Sequence, residues 1–130
     1  MERVNMMDCG DGIRRADNGS HGKGPVAKTA AYTIGAGQTG TMLSNKGATA
    51  SVAFTLPAAR AGMRFTFIKV AAQDLLIKAA GGAKIAGSAA NKVYKNITAG
   101  DAGTANLSIF SDGTDWYVSG SVGTWAVDNA

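Results

Sequence analysis

Residues 51–70, SVAFTLPAARAGMRFTFIKV, constrain the fold more than any other stretch of the chain. Val52, Phe54 and Leu56 alternate with Ser51, Ala53 and Thr55, the period of a half-buried strand whose side chains point to opposite faces in turn. Met63, Phe65 and Phe67 repeat the pattern against Arg64 and Thr66. Pro57 fixes its own φ and removes a ladder donor, and Gly62 tolerates a positive φ. The intervening LPAARAG therefore predicts a turn, and the whole stretch an antiparallel hairpin.

The rest of the chain has the same texture from residue 29 onward. Short runs at 31–34 (AYTI), 41–44 (TMLS), 75–79, 104–111 (TANLSIFS), 115–119 and 125–127 predict strands, and AKIA at 83–86 is expected to pair back on 75–79. NKVYKNI at 91–97 fits either a strand or an irregular crossing. Glycine- and asparagine-rich turns separate these runs, and Asp112-Gly113-Thr114 is the tightest turn signal. No segment keeps a helical stripe over three turns. With 18 Gly and 45% hydrophobic residues, much of it Ala, closely packed sheets fit better than a helix bundle. The expected fold is all-β: a compact antiparallel β-sandwich or barrel-like domain over residues 29–130, preceded by an extended N-terminal arm, residues 1–28.

The arm, MERVNMMDCGDGIRRADNGSHGKGPVAK, mixes charges and glycines without any period of 2 or 3.6. Alone it buries too little apolar surface to offset its ordering entropy, so its order must come from a partner. Val4, Met6, Met7 and Ile13 are apolar anchors that a plain linker does not need, and Arg3, Arg14 and Arg15 carry forked donors suited to carboxylates. The arm holds no apolar core of a signal peptide, and no apolar run reaches the length of a membrane-spanning helix.

Chemistry is sparse. The single cysteine, Cys9, excludes an intrachain disulfide and a multi-cysteine zinc site, and with His21 alone it makes neither a metal site nor a nucleophile–base pair. The domain carries Asp74, Asp101, Asp112, Asp115 and Asp128 but no Glu and no His, which leaves no Ser-His-Asp set and no obvious carboxylate pair. Gly22-Lys23-Gly24 and Gly81-Gly82-Ala83-Lys84 lack the spacing of a phosphate loop, and Asp112 with Asp115 falls short of a calcium shell. The expectation is a non-enzymatic binding or structural protein with no catalytic residue, cofactor or metal. The net charge of +4 is spread rather than clustered, which suits an acidic protein surface better than nucleic acid. Trp116, Tyr117 and Trp125 fit packing between strands better than sugar stacking.

Two segments resemble a known family. Leu56-Pro57-Ala58-Ala59-Arg60-Ala61-Gly62-Met63-Arg64-Phe65-Thr66-Phe67 resembles a hairpin of many tailed-bacteriophage virion proteins, and Ser111-Asp112-Gly113-Thr114-Asp115-Trp116-Tyr117-Val118 resembles a turn near their C-termini. The resemblance spans residues 29–127 and implies kinship with capsid decoration (cement) proteins, head fibres and tail-fibre modules, commonly all-β and trimeric. It implies packing roles for Leu56, Phe65, Phe67 and Trp116. No repeat or heptad here builds a fibre shaft. The expected function is therefore capsid decoration: a protein of the virion surface, present in host cytoplasm during assembly, that clamps neighbouring major capsid subunits. Arg3, Val4, Met6, Met7, Ile13, Arg14 and Arg15 are the expected capsid-binding residues. Ile68, Val70, Leu76, Phe110 and Trp125 are the expected interface of a homotrimer. The alternative is a head- or tail-fibre attachment module that binds carbohydrate.

Overall fold

The computed structural model describes residues 25–128. Ten strands lie in two five-stranded sheets that face one another, with two single-turn 3₁₀ segments, Ala36–Gln38 and Ala99–Asp101. The strands are β1 (Val26–Ala27), β2 (Tyr32–Thr33), β3 (Met42–Ser44), β4 (Val52–Thr55), β5 (Arg64–Ile68), β6 (Leu75–Lys78), β7 (Val93–Asn96), β8 (Asn106–Ser111), β9 (Trp116–Val122) and β10 (Ala126–Asp128). The first sheet has the order β9-β8-β5-β3-β1 and the second β10-β7-β6-β4-β2. The architecture is all-β and sandwich-like, as expected.

The pairing departs from a purely antiparallel arrangement. From β1 to β6 the chain changes sheet at every strand, and strands two apart pair in parallel: β1 with β3, β3 with β5, β2 with β4, β4 with β6. A parallel pair needs a long crossover, commonly a helix. Here the crossover is the strand of the opposite sheet. Residues 51–70 consequently form no hairpin: β4 and β5 belong to different sheets, and LPAARAG carries the chain from one to the other. The alternation itself holds: Val52, Phe54, Leu56, Met63, Phe65 and Phe67 all point inward and are buried. Period 2 fixes which face a side chain takes but not which strand lies beside it.

From β6 onward the pairing is antiparallel: β6 with β7, β5 with β8, β8 with β9, and β7 with β10. The segment 91–97 supplies strand β7, which takes the place beside β6 expected for AKIA. Of AKIA only Ile85 joins a ladder, as a single parallel bridge to Trp116, and it is fully buried. The fold also begins earlier than expected, because Val26–Ala27 lines up beside Leu43 and Ser44 and the Lys28 amide donates to the Ser44 carbonyl at 2.9 Å.

Aromatic rings run through the core in sequence. Tyr32 meets Phe54 edge-on at 6.3 Å, Phe54 faces Phe67 across the sheets at 5.5 Å, Phe67 meets Phe65 at 6.5 Å, and Phe65 meets Trp116 at 5.8 Å. Each buried ring stabilises the fold by about 1.5–3 kcal/mol through area removed from water, and ring pairing adds further specificity.

At one end of the sandwich the 56–67 crossover segment and the 111–118 turn lie against each other. The Gly62 amide donates to the Ser111 carbonyl at 3.0 Å, and the Ser111 amide donates to the Met63 carbonyl at 2.9 Å. Gly113 has φ +104 and packs over Ala61, where a Cβ would sit 3.4 Å from the Ala61 amide nitrogen. A side chain at Gly113 would be strained by its φ, while the crossover lies in ordinary contact beneath it.

Candidate interaction surfaces

On the outer side of the first sheet, the residues that alternate with the core form rows. Arg64, Phe110 and Tyr117 stand in one register row, Met42, Thr66 and Ser108 in the next, and Ile68, Asn106 and Val122 in a third. Met42, Phe110, Tyr117 and Val122 are 43%, 40%, 42% and 53% exposed, an unusual apolar load for one sheet face. A depression of about 390 Å³ opens among Gly40, Arg64, Thr66, Ser108, Phe110 and Ser119. Ser119 lies at a break in register between Val118 and Gly120, and its hydroxyl donates to the Ser108 carbonyl at 3.1 Å. The Thr66 and Ser108 hydroxyls lie 3.3 Å apart on its floor.

The aromatic edge of this surface is fixed by the β8–β9 turn. The Phe110 and Tyr117 rings are 5.7 Å apart, and the Tyr117 hydroxyl donates to Asp112 Oδ2 at 3.1 Å. Asp112 Oδ1 accepts from the amides of Thr114 and Asp115 at 2.9 and 3.0 Å. The backbone amides of Asp115 and Thr114 hold the Asp112 carboxyl below the usual range. The hydrogen bond to that carboxylate, and its charge, push the Tyr117 phenol upward.

The five residues expected at a trimer interface do not share one face. Ile68 and Phe110 lie on the outer side of the first sheet. Leu76 lies on the outer side of the second, between the buried Leu75 and Ile77. Val70 follows β5 in a loop, where its amide donates to Asn45 Oδ1 at 2.7 Å. Trp125 packs against its own core, stacks on Tyr94 at 5.9 Å and 15°, and donates from Nε1 to the Val122 carbonyl at 2.9 Å. Among the aromatics weighed for sugar stacking, Trp116 is buried, Trp125 is covered by Tyr94, and Tyr117 is open. Arg3, Val4, Met6, Met7, Ile13, Arg14 and Arg15 lie outside the described residues, as do Cys9 and His21.

A polar cluster at the other end of the sandwich was not anticipated. Lys69 continues the inward series Phe65, Phe67, and its side chain is fully buried. Its Nζ donates to Asn96 Oδ1 at 2.9 Å, to the Thr98 carbonyl at 2.8 Å and to the Asn96 carbonyl at 3.3 Å. Asn96, also fully buried, donates from Nδ2 to Asp101 Oδ2 at 2.8 Å, and that oxygen accepts the Thr124 amide at 2.7 Å. Burial pushes the Lys69 amine below the ordinary lysine range, with Asp74 and Asp101 opposing the shift. Hydrogen bonds from Thr124 and Asn96 hold Asp101 below the usual carboxyl range. The period-2 rule was signal enough: a strand whose odd positions face the core puts residue 69 there too.

Among the described residues, no three His, Cys, Asp or Glu side chains gather as a metal site, and no helix is long and apolar enough to cross a membrane. No family model matches the chain, and no curated protein matches it significantly.

Proposed function

We propose that this chain is a structural protein of a tailed-phage virion, a capsid decoration protein that clamps neighbouring major capsid subunits. The observation that carries this reading is the contact between the two resembling segments. The LPAARAG crossover and the SDGTDWYV turn are joined by reciprocal hydrogen bonds between Gly62, Met63 and Ser111, and by the Phe65–Trp116 ring contact at 5.8 Å. The two segments that carry the resemblance thus form one folded unit. In this reading the N-terminal segment grips the capsid, with Arg3, Arg14 and Arg15 on acidic groups and Val4, Met6, Met7 and Ile13 in apolar grooves. The apolar outer face of the first sheet meets neighbouring copies, and a homotrimer multiplies the weak grip of one arm into a stable attachment. The test is binding of the purified protein to capsids without tails. Saturation at a copy number comparable with that of the capsid subunit supports decoration; absence of binding overturns it.

A second reading, a fibre module that binds carbohydrate, is favoured by one observation. The depression on the first sheet places the Thr66, Ser108 and Ser119 hydroxyls and Arg64 beside the open Phe110–Tyr117 pair. Binding to host envelope glycans that Tyr117→Ala abolishes, together with no binding to capsids, selects this reading over decoration.

A further inference from the structure

We propose that Lys69 and Asn96 join covalently, the lysine Nζ forming an amide with the asparagine Cγ and ammonia leaving, with Asp101 relaying the proton. This modification is independent of where the protein docks.

The geometry is that of an amine and a carboxamide held together in a dry site. Lys69 and Asn96 each expose 0% of their surface, and Nζ lies 2.9 Å from the Asn96 side-chain oxygen. All three acceptors around Nζ are neutral amide oxygens, and none is a carboxylate. Burying an ammonium among neutral oxygens is costly, which moves the balance toward the neutral, nucleophilic amine. The target carbonyl is polarised, because the Thr98 amide donates to Asn96 Oδ1 at 3.0 Å and can follow it as negative charge develops there. The nitrogen that must leave, Asn96 Nδ2, is bonded to Asp101 Oδ2 at 2.8 Å. The cluster is also tightly roofed. Gly123 has φ +100, and a Cβ there would stand 2.8 Å from Ala105 Cβ, 2.9 Å from Asp101 Oδ2 and 3.2 Å from Asn96 Nδ2.

The step balances without water, oxidant or cofactor. The amine lone pair attacks Cγ, and the carbonyl π pair moves onto Oδ1. Attack puts both nitrogens on one tetrahedral carbon, so Asp101 Oδ2, already bonded to Nδ2, comes beside the attacking nitrogen, takes its proton and returns it to Nδ2. The carbonyl re-forms, the Cγ–Nδ2 bond breaks, and Nδ2 departs as ammonia. One primary amine and one carboxamide become one secondary amide and one ammonia. Holding the reactants in contact replaces a very slow bimolecular aminolysis with an intramolecular one. The product links the end of β5 in the first sheet to the end of β7 in the second, a staple across the sandwich.

Intact-mass spectrometry of the purified full chain tests this directly. The expected mass is one ammonia below that of the sequence, about 17 Da, and a protease digest should contain a branched peptide joining Lys69 to Asn96. Asp101→Asn retains acceptors for Thr124 and Asn96 and should fold, yet show the full sequence mass. A wild-type mass with no deficit overturns the proposal. So does a deficit that persists in Lys69→Arg, which marks a cyclic imide at Asn96 instead.

Discussion

At the scale of single residues, the consequences concentrate where the backbone or the core leaves no slack. Phe67 is fully buried between Phe54 and Phe65, so Phe67→Ala should destabilise the domain by about 3–5 kcal/mol, read from chemical denaturation. Native stability with lost attachment would instead mark Phe67 as an interface residue. Tyr117 offers a pH signature. Its hydroxyl donates to the Asp112 carboxylate, which stabilises the neutral phenol, so its NMR titration midpoint should lie above the ordinary tyrosine value. Asp112→Asn removes the charge but keeps an oxygen for the turn amides, and should bring that midpoint down. An unchanged midpoint would show that the bond does not persist in solution. The same scale exposes what sequence could tell. Ile68 lies on the outer face of its strand, and the parity that places Phe65 and Phe67 inside places Lys69 there too. Its three amide partners come from β7 and the loop after it, distant in sequence, and no local pattern announces them.

Among the elements, strand positions were legible and strand neighbours were not. Pro57 and Gly62 bracket a connection that serves equally well as a hairpin loop or as a passage between sheets. The choice is made by the partners: β3 and β8 flank β5, while β2 already offers its edge to β4. AKIA lost its expected place because Val93–Asn96 supplies four consecutive ladder residues to β6, whereas Ile85 is drawn under Trp116. The edge of the first sheet gives a prediction at this scale. β1 covers β3, so a protein beginning at Pro25 should keep its sheet, whereas one beginning at Thr29 exposes the β3 edge. The shorter protein should melt lower by about 5 °C or more and associate edge to edge. Equal melting and equal sedimentation of the two would show that β1 adds nothing.

For the whole molecule, the proposed function assigns the grip to the chain that precedes the sandwich. The exposed face that carries Met42, Phe110, Tyr117 and Val122 predicts self-association through the first sheet. Sedimentation at micromolar concentration should give a trimer, and Phe110→Lys should shift it toward monomer. A wild-type monomer both free and capsid-bound would remove the trimer from the account. Attachment is the central claim, and one comparison bears on it most directly: affinity for tail-less capsids of the full chain and of a protein beginning at Pro25, measured across a salt series. The full chain should saturate capsids, with affinity falling as salt screens Arg3, Arg14 and Arg15, while the truncated protein stays folded and fails to bind. Saturation by the truncated protein with unchanged affinity would contradict the account and move the docking surface onto the sheet itself.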